Sequence, residues 1–187
     1  MAFRAYVHQD DVSVDSSIQI TTEELSALGL EVVTFNDSED PEQAARKLLQ
    51  GWGYPLDKED CVVPFDFRHD ADNSSEISKF VDQLVQLTHK PELAFPCELA
   101  GLVTDSGIYF DVEDVKAQRW IRIHPGPNQL YRIHPGVKVR IIMLDHNRHH
   151  HGTLFFKDGV SSLGIIPGTD LHDHEARRGF LARIGHL

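Results

Sequence analysis

Between residues 98 and 157 the chain breaks into short apolar runs separated by Gly, Pro and Asn, at 98–104, 107–113, 120–124, 129–134, 137–144 and 153–157. The spacing predicts brief strands joined by tight turns, with Asp105-Ser106-Gly107 as the turn between the first two. Strands of that number and rhythm close into an antiparallel barrel or sandwich.

The first half reads differently. Residues 3–7 alternate like a short strand. Thr21-Thr22-Glu23-Glu24 forms a capping box, which predicts a helix over 22–28 stopped by Gly29. Residues 30–35 follow as a strand, and Asp40-Pro41 opens a helix over 41–50. Residues 61–65 read as a short buried strand. Asn73 and Glu76 begin a further helix carrying Ile77, Phe80, Val81, Leu84 and Leu87, closed by Pro91. The tail, 172–187, is charged and partly helical. Together these predict a single domain over 1–187: an N-terminal α/β portion (1–90) wrapped onto a β-barrel core (91–160), then a C-terminal tail (161–187).

Composition excludes several function classes. The chain has 187 residues and a formal charge of −11, which repels a polyanion, so nucleic acid is not an expected partner. No apolar run approaches a membrane span, so no membrane insertion is expected. The start, Met1 to His8, lacks a signal-peptide core, and Cys61 and Cys97 are too few for a disulfide framework. The expectation is a cytoplasmic protein, with other protein subunits as possible partners and any small-molecule ligand unassigned.

Several motifs occur in an order that resembles the acireductone dioxygenases, single-domain cupins. Ser106-Gly107-Ile108-Tyr109-Phe110-Asp111-Val112 is similar to that family's S-G-Y-F-D-V, and Trp120-Ile121-Arg122-Ile123 to its W-I-R-I. Residues 22–29 resemble its E-E-L-x-x-L-G segment. Pro135-Gly136-Val137 resembles the turn before its last metal-binding strand, and Asp173-His174-Glu175-Ala176-Arg177 its closing D-H-x-E-A-R. The resemblance implies a fold that is mainly β with α: a cupin-type double-stranded β-helix, or small barrel, with an N-terminal α/β portion.

It also implies an iron or nickel site held by three His and one Glu, in H-x-H-x3-E and a later P-x-G-I-Y-H-R. Counting back from Tyr109 without a gap puts these positions on Leu93, Phe95 and Leu99, with the last His on Val139. If Ile108 is an insertion, they fall on Glu92, Ala94 and Glu98. The family's substrate-orienting Arg falls on Gly101 or Ala100. Neither register supplies a histidine. The expectation is therefore a pocket packed shut at Leu93, Phe95, Glu98, Leu99 and Val139, with no catalytic residue and no cofactor: a binding, regulatory or assembly subunit.

Two other readings stay open. One is an active iron- or nickel-dependent dioxygenase of methionine salvage using displaced ligands. His124 and His134 end two runs separated by Pro125-Gly126-Pro127-Asn128, so a hairpin there would bring both imidazoles together near Glu98 or Cys97. The other is a metal-free isomerase or lyase with His124 or His134 as general base. The remaining polar candidates have plainer readings. His146 to Gly152, with its His149-His150-His151 run, reads as a polar hairpin loop, adventitious metal binding being the alternative. His89 reads as a helix C-terminal cation, and His172 and His174 as structural hydrogen-bonding groups. Asp10-Asp11 and Asp57 to Asp60 read as acidic loops, Asp70 and Asp72 as caps, and Cys97 as buried packing.

Overall fold

The capping signals sit where the helices begin. In the computed structural model, which describes residues 4–8, 18–36, 40–68, 92–106, 108–143 and 149–186, the Thr21 hydroxyl accepts from the Glu24 amide while the Glu24 carboxylate accepts from the Thr21 amide. Asp40 accepts from the amides of Glu42 and Gln43. In chain order the elements are β1 (Ala5–His8), α1 (Thr22–Ala27), β2 (Leu30–Thr34), α2 (Pro41–Gly51), β3 (Val62–Arg68), β4 (Glu92–Ala94), β5 (Leu99–Ser106), β6 (Ile108–Asp114), β7 (Arg119–Ile123), β8 (Gln129–Ile133), β9 (Val139–Met143), β10 (His149–Phe156), β11 (Ile166–Pro167) and α3 (Glu175–Arg183).

All strand pairs among the described residues are antiparallel. They form a six-stranded sheet, β1-β7-β6-β9-β4-β11, and a five-stranded sheet, β2-β8-β5-β10-β3. The inward side chains of both sheets make one core that includes Leu30, Val32, Phe65, Leu93, Leu99, Phe110, Ile121 and Val139. Alternate residues of β5 face the other way: Ala100 and Leu102, with Leu130 and Phe155, form a second cluster under Ala45 and Leu49 of α2. The strands of the N-terminal portion lie at the edges of the two sheets. That portion supplies β1 to one sheet and β2 and β3 to the other.

One open possibility is answered and one expectation is corrected. The runs 120–124 and 129–134 do not pair as a hairpin, because β7 lies in the six-stranded sheet and β8 in the five-stranded one. The Pro-Gly-Pro-Asn segment is a crossing between layers, with Asn128 at φ 61°. The His149-His150-His151 run is not a loop but the start of β10, paired with both β3 and β5 and bulged between His151 and Gly152. The helix expected over 73–87, and Asp10, Asp11, Asp70, Asp72 and His89, lie outside the described residues. No helix among the described residues is long and apolar enough to cross a membrane.

Candidate functional site

The period of two along a strand puts the two registers on opposite faces of the sheet. Leu93 and Val139 are direct cross-strand partners on β4 and β9, and both are completely buried. Phe95 and Leu99 belong to the same core cluster. The gap-free positions Leu93, Phe95, Leu99 and Val139 therefore all face the interior between the sheets. The shifted positions face away from it. Glu92 lies on the outer face of its sheet, bonded to Arg140 at 2.7 Å and Lys138 at 2.6 Å. Ala94 packs with Ile166 and Leu171 beneath the C-terminal segment, and Glu98 points to the outer side of β5. Beside Leu99, Gly101 faces Tyr131 across the β5–β8 pair. A β-carbon at Gly101 would come within 2.4 Å of the Tyr131 ring, so the tyrosine fills the volume next to this position. Burial raises the pKa of that phenol.

Glu98 instead belongs to a charged cluster on the outer face of the five-stranded sheet. His134 Nε2 lies 3.0 Å from Glu31 Oε1, and its Nδ1 lies 3.0 Å from Glu98 Oε2. Arg132 donates from both Nε and Nη2 to Glu31, at 3.0 and 2.8 Å, and its guanidinium stacks 4.0 Å from the Trp52 ring. Lys157 reaches Glu98 at 3.3 Å. Burial alone would raise both carboxyl pKa values. Hydrogen bonds from His134 and Arg132 on Glu31, and from His134 with the Lys157 charge on Glu98, outweigh it and hold each at about 2. For His134, burial favours the neutral ring, but its bonds to the two carboxylates win and the pKa is raised.

His124 is elsewhere. Its ring stacks on Tyr109 at 4.5 Å, and Nε2 lies 3.2 Å from the carbonyl oxygen of Ser106. Ser106 ends β5, whereas Glu98 precedes its first residue. At about 3.3 Å per residue the two ends are roughly 25 Å apart. The meeting of His124, His134 and Glu98 that the displaced-ligand alternative requires therefore does not occur. Both ring nitrogens of His134 are also taken by carboxylates and hemmed by Arg132 and Lys157. Among the described residues no group of three or more His, Cys, Asp or Glu side chains is placed to share a metal ion.

Buried His150 bonds through Nδ1 to the Ser106 hydroxyl at 2.9 Å, and that oxygen also accepts from the Ile108 amide. Cys97 is buried, and burial raises its thiol pKa. His174 caps α3 by accepting from the Ala176 amide, while His172 is exposed.

No family model matches this sequence, and no curated protein matches it significantly. Among solved structures, an acireductone dioxygenase from Bacillus anthracis with a cadmium ion in its active centre superposes with a TM-score of 0.58 and 11% sequence identity. The match covers 88% of this chain and 96% of that one. The fold is cupin-like.

On this cupin-like barrel, the metal implied by the resemblance meets an unsuitable donor set. Two leucines, a phenylalanine and a valine offer no lone pair to a divalent ion, which needs imidazole, thiolate or oxygen ligands. The matching motifs carry sheet architecture instead. Tyr6, Arg122, Asp111, Arg140 and Glu92 are successive cross-strand partners over β1, β7, β6, β9 and β4. Fully buried Asp111 accepts twice from Arg122, at 2.6 and 2.8 Å, and Arg140 stacks 3.8 Å from Trp120. Buried Arg177 of α3 bonds to Glu113 and to the Gly136 carbonyl. Sequence reasoning missed Glu31 and Arg132. Glu31 and His134 are 103 residues apart, so no local pattern joins them.

Proposed function

We propose that this chain is an acireductone dioxygenase-like cupin that performs no metal-dependent oxygenation and serves as a binding, regulatory or assembly subunit. One observation carries the reading: the interior positions where the resemblance calls for three imidazoles and a carboxylate hold Leu93, Phe95, Val139 and Leu99, all buried in one apolar cluster. Each such side chain contributes about 1–3 kcal/mol to folding by leaving water, so the interior favours a closed core over an open coordination sphere. The missing guanidinium supports the same reading. An ene-diolate substrate needs a cation to orient it, and Gly101 with Tyr131 alongside offers none.

The test is titration calorimetry with nickel(II) on the wild type and on a variant with donors restored, L93H/F95H/L99E/V139H. If the variant folds, it gains a stoichiometric site that the wild type lacks. Independently of the variant, turnover of an acireductone by wild-type protein loaded with iron(II) or nickel(II) overturns the reading.

A further inference from the structure

We infer that His134 is a pH-sensitive latch that ties β2 to the start of β5, and that this corner of the five-stranded sheet loosens when the ring loses a proton. The inference does not depend on the functional reading above.

Its geometric basis is a donor count. Glu31 and Glu98 are held as carboxylates, which only accept. They lie 3.0 Å from the two ring nitrogens of one imidazole. A neutral imidazole has a single N–H and can serve only one of them. Both contacts together require the doubly protonated ring, with one charged hydrogen bond to each side. Deprotonation turns one of the two contacts into a lone pair facing a carboxylate. Each element packed against the ring contributes a charge: Glu31 from β2, Arg132 from β8, Glu98 from the turn before β5, Lys157 from the end of β10 and Arg183 from α3. The Arg183 charge opposes protonation, and the carboxylates override it. The buried Tyr54 hydroxyl lies beside Glu98, and burial and that carboxylate both keep it protonated.

The ring also sits at a backbone junction. The His134 amide donates to the Gly29 carbonyl at 3.0 Å, closing one end of the β2–β8 ladder, and the Phe35 amide donates to Asn128 at 2.9 Å at the other. Gly29, at φ +80°, is closely packed: a β-carbon there would approach Arg183, Val137 and Phe180 within 3 Å. β2 is the edge strand beyond β8 in its sheet, so loosening at the latch is read along the β2–β8 ladder.

For a group whose pKa is raised on folding, the stabilisation is fully present below its ordinary pKa of about 6.5. It is lost as pH rises through the folded value, by at most tenfold in the opening constant per pH unit. Amide hydrogen exchange on the full chain, corrected for intrinsic rates, reads this directly. Protection at the His134 and Phe35 amides falls with rising pH in the wild type, while amides of β6 and β7 keep theirs. His134→Gln flattens the dependence, and His172→Gln, at an exposed site, preserves it. A wild-type profile that is flat, a loss shared equally by both sheets, or a His134→Gln profile that keeps the wild-type slope overturns the inference. Should His134→Gln not fold, the imidazole nitrogen chemical shifts of wild-type His134 decide: two protonated nitrogens at neutral pH support the latch, and a neutral ring contradicts it.

Discussion

Leu93 and Val139 stand opposite each other on β4 and β9, each with no exposed surface. They are two of the three positions at which the resemblance to acireductone dioxygenases implies an imidazole. Because they fill a close-packed interior, truncating either leaves a void. Leu93→Ala is expected to cost about 2–5 kcal/mol, measured by urea denaturation. A cost near zero would mean that the interior is open at this point.

Asp111 is completely buried and paired bidentately with Arg122. Removing one partner leaves a buried charge uncompensated, so Asp111→Ala is expected to destabilise by about 3–5 kcal/mol. Replacing both residues by apolar side chains of similar volume should cost less than the single change. A double-mutant cycle by chemical denaturation checks the sign of that difference.

Glu31 and Glu98 both titrate at about 2 in the folded protein. Groups whose pKa is depressed by folding contribute stability above their unfolded value of about 4.3, lost as pH falls through the folded value. Unfolding free energies between about pH 5 and pH 2 should therefore decline in the wild type and decline less steeply in Glu98→Gln. Equal slopes would place the acid sensitivity elsewhere.

Gly136 has φ +75°, and a β-carbon there would come within 2.2 Å of the Ala176 carbonyl oxygen. Gly136→Ala combines backbone strain with a clash against α3, at a cost well above the 1 kcal/mol or so that glycine replacement moves at permissive sites. Limited proteolysis should then release the C-terminal segment first. A cleavage pattern like the wild type's would show that α3 tolerates the change.

What could be read from the sequence follows from how local each signal is. The capping box at Thr21, Asp40-Pro41 and the alternation within each short run are properties of neighbouring residues, and the corresponding elements form at those places. Whether 120–124 and 129–134 pair stayed open in the sequence because a short Pro-Gly turn suits either a hairpin or a crossing between layers, and only distant pairing with β1 and β2 decides. The His149–His151 run looks polar enough for a loop, yet a strand needs only alternate positions inside. His150 meets Ser106 in the interior while His151 is exposed. The Glu31–His134–Glu98 bridge joins three distant stretches, so it becomes visible only in the folded sheet.

Under the proposed function the barrel interior holds no catalytic ion. Elemental analysis of untagged protein, purified from cells grown with added iron, nickel and zinc and washed with chelator, tests it most directly. The account predicts only trace metal, with unchanged thermal stability after chelation. A stoichiometric iron or nickel ion that survives the wash, and that is lost when a side chain lining the interior is replaced, would contradict it.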